Sequence, residues 1–375
     1  MKAHERVWKA LSHEEPDRVP TFSQHIEPPF LQRYDDKYEI QDDYGFGPHY
    51  DLALAKELGL DSKWQHLSRY IIPDKEQQPE LPNDMASKYE GMRISPEGHA
   101  SIPGLDGQWY QDGVLKTPEL IDEWVDFIKT FEPAESAHWK YWGKVWKNGL
   151  EQDMVPIPTA GGPTYITWAG IGLDRLAYIM RKYPQKFRKL NDAWVDLTIE
   201  LHKCVFEVGM DMVFICDDHC YKDRCMFSPK QFKDFLVPNF KRMADNAHKH
   251  GAKFLLHSDG FLSEELPLLI EAGVDAAEPL EYEANNRLDQ IKGKYGDKIA
   301  FIGNVPATEV LTNGTIEDTI KMTKKCLLDA ADGGGYMLGP GSDVLGTIKV
   351  DNFRAMIETV RKYGTYPIDK SKSRE

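Results

Sequence analysis

From residue 150 onward, short apolar runs alternate with longer amphipathic stretches. Met154-Val155-Pro156-Ile157-Pro158-Thr159 reads as a strand, followed by the turn Gly161-Gly162-Pro163 and helical segments to about Val208. Asp211 to Cys216 is the next strand, and Ser228-Pro229 opens a helix with a serine cap and proline in its first turn. Lys253 to His257 is a strand and Ser263 to Ala272 a helix. Val274 to Pro279, Ile299 to Gly303 and Tyr336 to Leu338 continue the strand series. The first 130 residues are less regular. A helix starts near Lys2 and ends before Glu15-Pro16, and Arg18 to Phe22 forms a first short strand. Ser87 to Ser95 predicts a β-ribbon turning at Gly91. Such alternation is the pattern of parallel βαβ units. With one or two strands from residues 60–100, the count approaches eight. Spacing alone fits both a closed barrel and an open doubly wound sheet. No Gly-x-Gly-x-x-Gly follows the first strand, which counts against a dinucleotide-binding sheet.

Polar residues gather where strands end. Asp217-Asp218 follow one strand, His257 and Asp259 the next, then Glu278 and Glu281, Asn304, and Ser342-Asp343. In a barrel these positions converge on the C-terminal mouth, where active sites of such enzymes lie. The predicted fold is therefore α/β, a (β/α)8 TIM barrel. It is read as a single domain over 1–375, with an irregular N-terminal extension, 1–130, carrying the ribbon and lid elements.

Composition narrows the function classes. The net charge of -14 repels phosphate backbones and anionic lipid, so neither nucleic acid nor a membrane surface is an expected partner. No apolar run reaches membrane-spanning length. The charged start, Met1-Lys2-Ala3-His4-Glu5-Arg6, lacks a signal core, and a cytoplasmic protein is expected. Five sparse cysteines do not make a disulfide framework. Cys216, Cys220 and Cys225 are spaced unlike any standard zinc motif; they read as loop or buried thiols, with His219 and the two aspartates keeping a metal reading open. The aromatics Tyr44, Phe46, Tyr50, Trp64, Trp109 and Tyr110 read as core and lid packing, or as an apolar cap over an aromatic substrate.

Several segments carry a family likeness. They are Glu5-Arg6-Val7, Glu15-Pro16-Asp17-Arg18-Val19-Pro20, Asp217-Asp218 with Ser228-Pro229, and Gly251 through Gly260 with His257-Ser258-Asp259-Gly260 at its end. Glu271 to Asp275, Pro279-Leu280-Glu281, Gly303-Asn304 and Gly333 to Tyr336 follow in order. The chain resembles the uroporphyrinogen decarboxylase superfamily over nearly its whole length, which implies a single (β/α)8 barrel. The decarboxylase branch has an arginine-bearing segment after the first strand. Here Ser23-Gln24-His25-Ile26-Glu27-Pro28-Pro29 has no arginine and includes an acid, which argues against gripping a polycarboxylate. The other branch, corrinoid-dependent methyltransferases, implies methyl transfer involving a corrinoid on a separate protein, and often zinc held by His-x-Cys and a distant Cys. This chain keeps His257 but has Asp259 and Ser342 at the cysteine positions.

The expected activity is metal-assisted transfer of a methyl group from a small methylated donor, such as an aryl methyl ether, to corrinoid cobalt. His257, Glu281 and Glu278 are the expected zinc ligands, since zinc accepts imidazole and carboxylate as well as thiolate. Asp218 and Asp259 are the expected catalytic acids, and Tyr221, Lys222 and Asn304 the substrate contacts. Two other readings compete: decarboxylation of a tetrapyrrole, and non-catalytic binding of a tetrapyrrole or corrinoid.

Overall fold

A computed structural model describes residues 1–34, 48–67, 78–104 and 107–371. Eight parallel strands follow one another around the molecule in chain order. They are β1 (Phe22–Ser23), β2 (Ser62–His66), β3 (Val155–Gly161), β4 (Met212–Cys216), β5 (Lys253–His257), β6 (Ala276–Glu278), β7 (Ala300–Ile302) and β8 (Tyr336–Met337). Thr21 bridges Leu338 in parallel, and Phe22 N–H donates to the Leu338 carbonyl at 2.9 Å. That seam closes the sheet into a barrel.

The period-2 pattern of the strands separates the two sides of the wall. Met212 and Phe214 face inward with Trp64, Ile157, Leu255 and Ile302, while Val213 and Ile215 face outward beneath the helices. Likewise Leu255 points in, and Phe254 and Leu256 point out. The interior is thus a packed apolar plug, closed from below by Ala3, Val7, Ala10 and Leu11 of helix α1 (Ala3–Leu11). The polar residues of the mouth lie beyond this plug, at the C-terminal ends of the strands and in the loops that follow them.

The ribbon differs from expectation. Ser87–Tyr89 is a short 3₁₀ turn, and Gly91 turns into a three-stranded antiparallel sheet of Arg93–Ile94, His99–Gly104 and Gly107–Gly113. Tyr89 is buried, and its hydroxyl donates to the Gly113 carbonyl at 3.0 Å. That anchor ties the segment to the ribbon's far strand instead of letting it pair with its neighbour. Among the described residues, one barrel strand comes from residues 60–100. Tyr44 and Phe46 lie outside the described residues, as does the tail 372–375; the Tyr50 side chain is also outside them. Among the described residues no helix is long and apolar enough to cross a membrane.

One buried group sets a pH dependence. His202, on helix Pro184–Glu207, is wholly buried, with Phe206 and Phe254 as ring neighbours, and neither ring nitrogen has a hydrogen-bond partner among the described residues. Burial pushes its pKa down to about 3. The folded value lies below the unfolded one, so this contribution to stability is complete above the ordinary histidine range. It is lost as pH falls from there toward about 3, at up to about 1.4 kcal/mol per pH unit. His202→Met is expected to flatten that slope, and not to destabilise at neutral pH because it removes two unpaired polar atoms. Urea midpoints at about pH 5 and about pH 7.5 measure this.

Candidate functional site

Strand register builds the site. Cys216 pairs with His257, and His257 with Glu278, so three neighbouring strands present one rung of side chains at the mouth. Gly161 pairs with Cys216 on the other side. Cys216 is the next inward position after Met212 and Phe214, and His257 the next after Leu255. The ring of Trp64 lies 5.4 Å from that of His257 and forms part of the floor beneath it.

His257 is held from behind. Its Nδ1 lies 2.5 Å from Oε2 of Glu278, which is fully buried. The other oxygen of Glu278 accepts from the Gln24 amide at 2.5 Å. With Nδ1 engaged, Nε2 faces the opening, 3.4 Å from Asp218 Oδ1 and 3.6 Å from Asp259 Oδ1. Cys216 also hydrogen-bonds this ring. Burial opposes a charged imidazole, yet the negative groups around it hold the His257 pKa well above the ordinary value. Burial is the largest influence on Asp218 and raises it, but the hydrogen bond and charge of His257, the Asp259 N–H and the charge of His219 together outweigh it and leave that carboxyl below its usual range. Burial pushes the Cys216 thiol up to about 11.

The adjacent aspartates have separate work. Asp217 is fully buried and accepts from the Tyr165 N–H at 2.5 Å and the Thr164 N–H at 3.4 Å, capping helix Pro163–Ile171. A Cβ at Gly162 would sit 2.1 Å from Asp217 Cβ, so glycine is required there. Burial raises the Asp217 pKa to about 7. Asp218 turns the other way, and the Asp259 N–H donates to its Oδ1 at 2.9 Å.

The other residues singled out in the sequence have these positions. Glu281 accepts from the Gly260 N–H at 2.5 Å and braces the turn after Asp259; burial, with the charge of Asp259, raises it to about 7. Gly260 itself, at φ 88°, packs where a Cβ would meet the Tyr221 carbonyl at 2.5 Å. Asn304 is buried and spends its amide on the Leu280 carbonyl at 2.7 Å and the Asn286 carbonyl at 3.2 Å. Tyr221 and Lys222 are exposed on the loop after β4. Asp343 accepts from the His25 N–H at 3.1 Å, and burial pushes its pKa to about 6.

An aromatic wall rises beside the carboxylates. The Trp168 indole donates to the Asp218 carbonyl at 2.6 Å, and Tyr165 lies edge-on to Trp168 at 5.3 Å. Burial and the Asp218 charge raise the Tyr165 hydroxyl to about 12. His99 and Tyr110 of the ribbon pack on this pair, while Trp109 points to solvent at 54% exposure.

The donor atoms suit a metal ion. One atom each from Cys216, Asp218 and His257 lies within 4.8 Å of the others, and Asp259 stands beside them. A thiol, an imidazole nitrogen and carboxylate oxygens are zinc's usual donors. A buried carboxylate on the far nitrogen of the ligand histidine is the usual support for such a centre. Glu278 fills that supporting place instead of joining the cluster at Nε2. The sequence offered Cys216 to a metal only together with Cys220 and Cys225, not with His257, and it did not mark Gln24 as a site residue. The alternation Met212, Phe214, Cys216 carried a signal for Cys216. Gln24 reaches the site only across strand register.

Comparisons with known proteins agree with the fold. A methyltransferase from Methanosarcina mazei superposes with a TM-score of 0.68 at 16% identity, covering 97% of this chain and 99% of that one. The methylated-thiol–coenzyme M methyltransferase of Methanosarcina mazei is 22% identical over 215 residues, 56% of this chain and 52% of its own length. The methylcobamide:CoM methyltransferase MtbA of the same organism is 26% identical over 176 residues, 46% of this chain and 48% of its own. This chain thus spans about half the length of the curated relatives it matches. The model of the uroporphyrinogen decarboxylase (URO-D) family matches residues 144–363, more than half of the chain and all of the strands that carry Cys216, His257 and Glu278, and the protein belongs to that family.

Proposed function

We propose that this protein is a methyltransferase that moves a methyl group from a small methylated donor to the cobalt of a corrinoid on a separate protein, assisted by a metal ion. The observation that carries the reading is the convergence of Cys216, Asp218 and His257 at the mouth of the barrel. The names of the relatives, which describe methyl transfer to coenzyme M and methylcobamide chemistry, support it. Zinc bound there would supply Lewis acidity to the heteroatom from which the methyl leaves.

The chain's own groups do the rest. Glu278, backed by Gln24, fixes the orientation of the His257 ring so that Nε2 addresses the ligand space. The Asp259 amide fixes Asp218 against the same point. Trp64, Tyr165 and Trp168 give an apolar wall that excludes water and fits an aryl methyl ether, the donor class whose phenolate most needs its charge met. A polycarboxylate would instead meet Asp218, Asp259, Glu278 and Asp343. That disfavours decarboxylation of a tetrapyrrole.

The test mixes purified protein with a reduced corrinoid protein and methoxy-aromatic, methylthiol or methylamine donors while the cobalt absorbance is followed. Donor-dependent formation of methyl-cobalt is the expected result; its absence with every donor refutes the reading. Glu278→Gln is expected to lower zinc affinity by roughly 10–100-fold while leaving the donors at Nε2 in place. Competition with a chromogenic chelator measures it, and unchanged affinity would remove Glu278 from its supporting role.

A further inference from the structure

We propose that Cys220 and Cys225 form a redox-active dithiol, closed to a disulfide by a small-molecule disulfide, with Glu265 receiving the Cys225 proton. The loop after β4 folds back on itself. The Tyr221 N–H donates to the Arg224 carbonyl at 2.7 Å, and the Met226 N–H to the His219 carbonyl at 2.8 Å. These two bonds bracket Cys220 and Cys225, which are partners of an antiparallel bridge. They are therefore a non-hydrogen-bonded pair, the kind whose Cα atoms lie about 4.5 Å apart with side chains close on one face. A disulfide requires roughly 4.4–6.8 Å between Cα atoms, so the backbone already has the spacing. The two thiols hydrogen-bond each other, and both are free.

The surroundings assign a role to each partner. Cys225 is half-buried and accessible, whereas Cys220 is buried. The Phe227 N–H donates to Cys225 Sγ at 3.4 Å, and Cys225 Sγ donates to the His219 carbonyl at 3.2 Å. Glu265 hydrogen-bonds Cys225 and is only 6% exposed, with no hydrogen-bond partner for Oε2 among the described residues. A buried carboxylate lacking a full set of partners is a ready proton acceptor. Its own pKa is raised to about 7 by burial.

The exchange balances. Cys225 gives its proton to Glu265, and its thiolate attacks one sulfur of the incoming disulfide. That S–S bond breaks and the first thiolate leaves, to be protonated. Cys220 then attacks Cys225 sulfur, the mixed disulfide breaks, and the second thiol departs with the Cys220 proton. Two cysteine thiols are oxidised and one external disulfide is reduced to two thiols. The bridge would act on the mouth of the barrel. The Phe261 N–H donates to the Tyr221 carbonyl at 2.8 Å, the His219 N–H donates to Ser258 Oγ at 3.1 Å, and Cys220 hydrogen-bonds Ser258. Those contacts surround Asp259.

The experiment uses the full chain, reduced, freed of reductant and incubated with oxidised glutathione. Trypsin cuts after Lys222 and Arg224, so a bridge joins two peptides. Mass spectrometry is expected to find the Cys220 and Cys225 peptides linked, and dithiothreitol is expected to separate them. Cys220→Ser should trap glutathione on Cys225, Cys225→Ser should leave Cys220 unmodified, and Glu265→Gln should slow bridging by about tenfold or more. Absence of the link, or a link from Cys220 to Cys216 or Cys204, overturns the proposal. So does equal modification of Cys220 with and without Cys225. The readout is covalent, so it stands or falls independently of methyl transfer.

Discussion

Alanine at His257 is expected to remove bound zinc and to reduce methyl transfer by more than a hundredfold. The imidazole is the one nitrogen donor in the cluster with Cys216 and Asp218. Its removal also leaves Glu278 fully buried with Gln24 as its remaining side-chain partner among the described residues. Losing a supporting residue of a metal centre costs about 10–100-fold in affinity, and losing a donor itself costs more. Cys216→Ser should act in the same direction, because a hydroxyl is a far poorer donor to zinc than a thiolate. Cys204→Ser provides the control, since Cys204 lies on helix Pro184–Glu207, away from the rung. Zinc per chain by atomic emission, with circular dichroism to show intact folding, reads the outcome. Stoichiometric zinc retained in both His257→Ala and Cys216→Ser would place the metal elsewhere and remove the basis of the proposed function.

Much of this centre was legible in the chain because barrel strands are short and strictly alternating. Lys253 to His257 is read from sequence with the same boundaries that it has in the fold, because Phe254-Leu255-Leu256 is too apolar to be anything but wall. His257, Asp218 and Asp259 follow from lying at strand ends. Other parts depend on contacts that no local pattern encodes. Nothing in Asp217-Asp218 says that the first caps a helix fifty residues earlier in the chain and the second faces the mouth. Cys216 looked like one of three loop thiols, whereas the fold separates it from the Cys220–Cys225 pair by turning it inward. Gln24 reaches Glu278 across a sequence distance of 254 residues, through the closure of the barrel itself. The ribbon was misplaced because Tyr89, which looked like a strand residue, spends its hydroxyl on the far strand.

Asp61→Ala is expected to destabilise the fold by about 3–5 kcal/mol while leaving the geometry of the mouth unaltered in any molecules that fold. Asp61 sits just before β2, at the opposite end of the barrel from His257. Its side chain is 5% exposed. Arg6 donates to it at 2.8 Å, Arg18 at 2.6 and 2.8 Å, and the Thr21 N–H and hydroxyl at 2.9 and 3.0 Å. One carboxylate therefore fastens α1, the lead into β1 and the lead into β2, next to the seam where Thr21 meets Leu338. Asp17 also binds Arg6, at 2.6 and 2.8 Å, but it cannot satisfy Arg18 or Thr21 as well. Removal leaves two guanidinium groups short of a partner in a poorly solvated place, which is the costly way to break an ion pair. The comparison is Asp245→Ala, which removes an exposed pair with Lys241 on one helix and should change little. Urea unfolding of the two variants decides the matter, and equal midpoints would refute the argument. Arg6, Asp17 and Arg18 are among the residues that carry the family likeness, yet none of them is near the mouth. They hold the barrel shut from below, so that Cys216, His257 and Glu278 stay in register above.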